Sequence, residues 1–117
     1  MKIAPYDKMS YVDTSRVKAH ELFCKALGNE TRINIVLALS RREMSVNELC
    51  NELGYEQSRV SHALKCLSYC GSIEALEKVK NFIYSLNKEI VEPLIKLIEA
   101  HIQRYAPHLL TCEVLER

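Results

Sequence analysis

The chain has 117 residues, of which 48% are hydrophobic and 26% charged, with a formal net charge of +1. This length favours one domain around one core, and the balance is that of an ordinary globular protein. No stretch approaches the roughly 18 apolar residues of a membrane span, and the first residues lack the apolar core of a signal peptide. Five cysteines in such a chain indicate free thiols in a reducing compartment. We therefore expect a cytoplasmic protein with no membrane contact.

Four helices are predicted in the first two thirds of the chain, after an N-terminal arm of residues 1–12. Each has apolar residues at helical spacing behind a polar start. Asn29 caps the second helix, and Ser45 followed by Glu48 has the spacing of a capping box that opens the third. The predicted bounds are Asp13 or Thr14 to Leu27, Glu30 to Ser40, Val46 to Leu53 and, after a tight turn at Gly54–Tyr55, a helix that Gly71 ends. Two successive helices joined by a short turn form a helix-turn-helix arrangement.

The fourth predicted helix has two different sides. Its apolar residues cluster on the side that faces the core, and they are Val60, Ala63, Leu64 and Leu67. The opposite side has short polar and basic side chains that suit base edges and phosphates in a DNA major groove. The predicted DNA contacts of this helix are Gln57, Ser58, Arg59, Ser61, His62 and Lys65. For His62 a solvated surface position is the alternative.

After the fourth helix the apolar period changes from 3.6 to 2, which predicts a β-hairpin. The two strands cover residues 72–77 and 79–86 and join near Lys78. The tip is basic, so we expect Lys78 and Lys80 to contact backbone phosphate. A hairpin beside a helix-turn-helix is the wing of a winged helix.

A last helix is predicted from about Lys88 to Tyr105. Pro107 breaks this helix, and residues 106–117 form a C-terminal tail. Apolar residues such as Leu97 widen the surface of the helix beyond what one small domain buries. We therefore expect a homodimer in which the first and last helices pack against their copies.

Three segments, in order, resemble the signature of the ArsR/SmtB family of winged-helix repressors. They are LGNETRINI at 27–35, ELCNELG at 48–54 and QSRVSHALK at 57–65. The segment FIYSL at 82–86 is similar to the second wing strand of the family. The resemblance covers roughly residues 14–105 and is specific because several motifs occur in one order.

This resemblance implies a mainly α fold with a small β-hairpin, a winged helix-turn-helix of about five helices in one domain spanning 1–117. It also implies a homodimeric transcriptional repressor that binds double-stranded operator DNA and is released by metal ions. Glu56 stands where the family often has a Ser or Thr helix cap. We expect its carboxylate to accept hydrogen bonds from the helix amides.

Members of the family hold metal at different places, and two of those places lack ligands in this chain. The arsenic and cadmium type would need cysteines near Ser45 and Asn47, where there are none. The zinc type on the last helix aligns with Lys88, Ile90, His101 and Arg104. Only His101 could ligate, so we expect no zinc site there.

The third place is the end of the recognition helix, where the cadmium- and lead-sensing type has a Cys-x-x-x-Cys pair. Cys66 and Cys70 are similar to that pair, and Cys112 corresponds to a third ligand from the partner subunit. Thiols at i and i+4 can converge on one ion, and thiolate selects soft ions. The implied inducer is cadmium or lead, with zinc possible. The alternative is that Cys66 and Cys70 only fill gaps beside the core, as we expect Cys50 and Cys24 to do.

An enzyme is not expected, because no nucleophile–base pattern, Gly-rich phosphate loop or carboxylate pair stands out. Three other functions stay open. The same cysteines could sense thiol redox state, or the protein could regulate transcription without an inducer. The near-neutral net charge favours a third possibility, a protein-interaction module without DNA activity.

Overall fold

The computed structural model describes residues 14–79 and 81–111 of the chain. In these residues five helices and one antiparallel two-stranded sheet follow each other. They are α1 (Thr14–Leu27), α2 (Glu30–Arg41), α3 (Val46–Leu53), α4 (Gln57–Tyr69), β1 (Ile73–Lys78), β2 (Asn81–Leu86) and α5 (Val91–Leu110). This confirms the predicted fold class. No helix in the described ranges is long and apolar enough to cross a membrane.

The helix starts follow the capping signals in the sequence. The Arg32 backbone N–H donates to Asn29 Oδ1 at 3.1 Å at the start of α2. At the start of α3, the Glu48 N–H donates to Ser45 Oγ at 3.2 Å, and the Ser45 N–H donates to Glu48 Oε1 at 3.0 Å. These reciprocal bonds satisfy amides that the first helical turn leaves without partners, so both predicted caps are confirmed.

The predicted cap at the start of α4 is wrong. Glu56 is the residue before the helix, but its side chain makes no capping hydrogen bond. Asp, Asn, Ser and Thr are the preferred caps because their short side chains place oxygen close to the first amides, and Glu is one methylene longer. The helix begins instead from the tight turn at Gly54, whose φ of 70° is a left-handed conformation that suits glycine.

The core lies between the helices and the inner ends of the two strands. Its largest fully buried side chains are Ile35, Met44, Leu49, Leu67, Val36 and Val60. Met44 lies between the second and third helices, and it forms an antiparallel bridge with Tyr84 of β2. Its N–H donates to the Tyr84 carbonyl at 3.1 Å, and the Tyr84 N–H donates back at 2.8 Å. This bridge ties the hairpin to the α2–α3 connection.

The hairpin has a slightly different turn from the predicted one. The strands pair from Ile73 with Leu86 to Lys78 with Asn81, so Lys78 belongs to β1 and is not the residue that joins the strands. Val79 has a φ of 52°, which is rare for a β-branched residue, and its side chain is fully exposed.

The last helix is longer than predicted, because α5 continues through Pro107 to Leu110. Pro107 lacks the backbone N–H that would otherwise donate to the carbonyl of Gln103, so α5 continues past the proline with one helical hydrogen bond fewer. Only Val91 and Ile95 of α5 are buried. Six of its other large apolar side chains are exposed by 39% to 79%, and they are Leu97, Ile98, Ile102, Tyr105, Leu109 and Leu110.

Candidate nucleic-acid interface and thiol groove

The polar side of α4 faces solvent along its whole length. All six predicted contacts of this helix are exposed, and they are Gln57, Ser58, Arg59, Ser61, His62 and Lys65. The four apolar residues of the opposite side are all buried, and they are Val60, Ala63, Leu64 and Leu67. The helix therefore presents a strip of hydrogen-bond donors and acceptors, which is the chemistry that reads base edges and phosphates.

One member of this strip is already held by other side chains. Arg59 Nε donates to Thr31 Oγ1 of α2 at 2.9 Å, and the guanidinium carbon lies 3.8 Å from the centre of the Tyr55 ring. The Tyr55 hydroxyl in turn accepts from Asn34 Nδ2 at 2.7 Å. Sequence analysis missed Thr31 and Tyr55 as partners of Arg59, and Asn34 as the partner of Tyr55. Nothing in the sequence indicated these contacts beyond the polar character of the three residues, because none of them belongs to α4.

The hairpin lies beside α4 as a wing. A groove of about 460 Å³ between them is lined by Ser61, Leu64, Lys65, Ser68, Tyr69 and Tyr84. At the tip, Lys78 Nζ lies 3.9 Å from Glu43 Oε1, and the two side chains are 56% and 39% exposed. Lys80, the other predicted wing contact, lies outside the described residues.

A second groove, of about 870 Å³, runs between α1 and α4. We call it the thiol groove, and it is lined by Ala19, Leu22, Phe23, Ala26, His62, Lys65, Cys66, Tyr69 and Cys70. Cys66 and Cys70 are both half-buried in it. The two predicted thiols therefore share one groove on the flank of the recognition helix.

The two thiols have different surroundings. Cys70 Sγ lies 3.4 Å from the Leu67 carbonyl oxygen, to which it donates, and 3.1 Å from Ser72 Oγ, with either of these two groups as donor. Ser72 is fully buried, and its carbonyl accepts from the Asn87 N–H at 3.0 Å. Cys70 is thus fixed at the helix end. Ser72 was not predicted, and its closeness to Cys70 in sequence was the only available signal.

As a metal centre the thiol groove holds two soft donors. Among the described residues, no three side chains of His, Cys, Asp or Glu are grouped to hold a metal ion, so His62 does not complete the pair. Cys112, the predicted third ligand, lies outside the described residues. Thiolates fit a soft ion, but two of them make only part of a three- or four-ligand site.

The remaining candidate ligands lie elsewhere. Cys50 is half-buried and packs against the core, as expected. Cys24 is exposed, so its predicted packing role is wrong. Only Ala26 and Leu27 of α1 are buried, so this helix contacts the core at its C-terminal end alone. Residues on the edge of its apolar side, such as Cys24, therefore stay exposed to solvent. His101 stacks on Tyr105 with ring centres 4.6 Å apart.

Comparison with known proteins places the same elements in a recognised group of regulators. Residues 29–75 match the model of the family described as "Bacterial regulatory protein, arsR family". That range runs from the cap of α2 into β1 and contains the whole helix-turn-helix.

Two curated relatives and one solved structure agree with this match. The chain is 32% identical to the transcriptional activator HlyU of Vibrio cholerae, over 63% of this chain and 68% of that protein. It is 33% identical to a probable mercury resistance operon repressor of Streptomyces lividans, over 64% of this chain and 60% of that protein. A homodimeric winged helix-turn-helix DNA-binding domain from Mycobacterium bovis shares the fold at 23% identity, with a TM-score of 0.76, over 86% of this chain and 94% of that one. The matched family and both relatives are transcriptional regulators, not enzymes.

Proposed function

This chain belongs to the arsR family of bacterial regulatory proteins, and we propose that it is a homodimeric repressor released from its operator when a soft metal ion binds its thiols. As a member of this family it is a transcriptional regulator with a winged helix-turn-helix. The observation that carries the proposal is that one helix, α4, has the exposed polar strip and also the Cys66–Cys70 pair. A repressor that binds chromosomal DNA acts in the cytoplasm.

Contact with operator DNA would come from α4 and the wing. In helix-turn-helix proteins the second helix enters the major groove, and the flanking elements touch the backbone. The proposed contacts are Gln57, Ser58, Arg59, Ser61, His62 and Lys65 on α4, and Lys78 and Lys80 at the wing. Their donors supply both base contacts, which specify sequence, and phosphate contacts, which position the protein.

A second copy of the chain would cover the apolar surface of α1 and α5. Val17 and Leu22 of α1 are 56% and 54% exposed, and Leu97 of α5 is 70% exposed. Large exposed apolar patches mark interfaces, and the similar Mycobacterium bovis domain is homodimeric. Two copies would present two α4 helices to half-sites about one DNA turn apart.

The inducer would bind between the two subunits. Cys66 and Cys70 supply two thiolates, and Cys112 of the partner copy supplies the third. The position of the thiol groove supports this assignment, because one wall is α1, which belongs to the proposed dimer surface, and Cys112 follows the end of α5. Cadmium or lead, or zinc, would then lock α4 to the partner's last helix. A bound metal ion would favour one arrangement of the two subunits. If that arrangement changes the spacing of the two α4 helices, they no longer fit the two DNA half-sites, and operator affinity falls.

The geometry of the pair favours metal over a disulfide as the signal. Side chains at i and i+4 of a helix have Cβ atoms about 5–6 Å apart, whereas a disulfide needs about 3.5–4.5 Å. Two metal–sulfur bonds of about 2.3 Å span the longer distance without unwinding the helix. A redox sensor that uses the same cysteines is the second candidate, since Cys70 lies at the helix end, where the last turn can open.

The test is a cadmium titration of the full chain under reducing conditions, with thiolate-to-metal absorption in the ultraviolet and operator release as the two readouts. We expect Cys66→Ser and Cys70→Ser to keep DNA binding and lose both signals, and Cys112→Ser to weaken metal binding. His101→Ala is the matched control and should behave like the parent. If both Cys66→Ser and Cys70→Ser release the operator normally, the metal-sensor proposal is wrong.

A further inference from the structure

We propose that Arg59 contacts a DNA phosphate at the edge of the major groove, and that Tyr55 and Thr31 are positioning residues that hold its guanidinium there. This inference rests on the proposed binding of DNA by α4. It assigns Arg59 to backbone contact and leaves base contact to the middle of the polar strip.

The position of Arg59 around the helix is the first argument. At about 100° per residue, the four buried side chains of α4 define the inward direction, and Ser58 and Lys65 lie within about 30° of the outward direction. Arg59 lies about 90° from it, on the flank that faces α2. A helix in the major groove turns its outward side to the base edges and its flanks to the two phosphate backbones.

The contacts of Arg59 are the second argument. Its Nε donates to Thr31 Oγ1 at 2.9 Å, and its guanidinium carbon lies 3.8 Å from the centre of the Tyr55 ring. To reach a base in the groove it would have to give up both contacts. Its terminal nitrogens have no hydrogen-bond acceptor among the described residues and form the fork that suits phosphate oxygens.

The third argument is that the two positioning residues are themselves fixed. The Tyr55 hydroxyl accepts from Asn34 Nδ2 at 2.7 Å, and both Thr31 and Asn34 belong to α2. The guanidinium is therefore held against a packed helix before DNA arrives. Such preorganisation lowers the conformational entropy that binding would otherwise cost.

The test measures binding of the full chain to duplexes that tile the DNA upstream of its own gene, and to a random-sequence duplex, across a range of salt concentrations. We expect Arg59→Ala to weaken binding to the operator and the random duplex by the same factor, about tenfold. The slope of log affinity against log salt should fall by about one phosphate contact. Arg59→Lys is the matched control, which keeps the charge and should keep the slope.

The positioning residues need a separate readout. Thr31→Val and Tyr55→Leu should lower affinity about threefold while keeping the parental salt slope, because the charge is still present. Neither should add a further loss in an Arg59→Ala background, since the interaction they support is already gone. Thermal unfolding of each variant verifies that it is folded.

Two results would overturn the inference while leaving DNA binding intact. If a folded Arg59→Ala variant keeps the salt slope of the parent, Arg59 makes no phosphate contact and only links α4 to α2. A loss confined to the operator duplex would make it a base contact. A parent that binds no duplex in a salt-dependent way would instead remove the proposed function, and this inference with it.

Discussion

At the scale of single residues, the four described cysteines have distinct environments. Cys66 and Cys70 are half-buried in the thiol groove, Cys50 is half-buried against the core, and Cys24 is exposed. The surroundings of each thiol, and not thiol chemistry alone, therefore separate the proposed sensor pair from Cys50 and Cys24.

We expect Cys50→Ser to lower the free energy of unfolding by about 1 kcal/mol, at the low end for a hydroxyl placed in apolar surroundings because the site is only half-buried. Cadmium release should be unchanged. Cys24→Ser is the matched control, since its exposed site should tolerate a hydroxyl without loss. Urea unfolding of the three proteins makes the comparison, and equal losses in both variants would contradict the assignment of Cys50 to the core.

Gly54 gives a second residue-scale prediction. A Cβ at this position would meet no atom within 4 Å, but the φ of 70° is unfavourable for a residue with a side chain. We expect Gly54→Ala to destabilise the protein by about 1 kcal/mol through backbone strain alone. Gly54→Asn, which tolerates this conformation better, should lose less in the same urea unfolding experiment. An equal loss in both variants would point to a cause other than φ.

At the scale of elements, the start of α3 joins a capping box to an ion pair. Arg42 Nη1 donates to Glu48 Oε2 at 2.8 Å, while Glu48 Oε1 accepts from the Ser45 N–H. The hydrogen bond from Arg42, and after it the one from Ser45, lower the pKa of the Glu48 carboxyl below its ordinary value of 4.5. The ionised carboxylate therefore favours the folded chain.

The stability that Glu48 contributes should depend on pH. Because its pKa is lower in the folded chain, the contribution is complete above the ordinary value of 4.5 and is lost as the pH falls through the folded pKa. We expect Glu48→Gln to lower the melting temperature at neutral pH and to match the parent in strong acid. Glu74→Gln, at an exposed carboxylate of β1, is the control and should change little at either pH. A Glu48→Gln deficit of the same size at both pH values would contradict this.

At the scale of the whole molecule, α5 buries only part of its apolar surface within its own chain. Val91 and Ile95 are buried, while most of its other large apolar side chains remain exposed. If this apolar surface of α5 is buried against a second copy of the chain, the contact sets the distance between the two α4 helices. The dimer surface and the DNA surface are therefore coupled in the proposed mechanism.

We expect Leu97→Glu to raise the dimer dissociation constant by more than about tenfold, because it places a charge in the proposed apolar interface. Operator affinity should fall with it. Val79→Glu is the matched control for the dissociation constant alone, because Val79 is also a highly exposed apolar residue but follows β1 at the tip of the wing, which is proposed to contact DNA and not the partner copy. Sedimentation equilibrium measures the dissociation constant, and a fully dimeric Leu97→Glu protein would exclude this face of α5 from the interface.

Local signals were enough to predict the order of the elements. Asn29, Ser45 and Glu48 gave the helix starts, Gly71 gave the end of α4, and the change of apolar period gave the hairpin. These signals act over a few residues, so the sequence alone contains them. The exposed polar side of α4 was predictable for the same reason, because helical periodicity separates it from the buried side.

Only the tertiary structure decided how the elements meet. The Arg59–Thr31 bond joins residues 28 positions apart, and the Met44–Tyr84 bridge joins residues farther apart still. The exposure of Cys24 depends on how much of α1 the core covers, which only the packed chain shows. Sequence by itself determined which residues belong to α4 and which side of it is polar. The fold decided which of those side chains are free and which are already held, because contacts between distant segments exist only after the chain has packed.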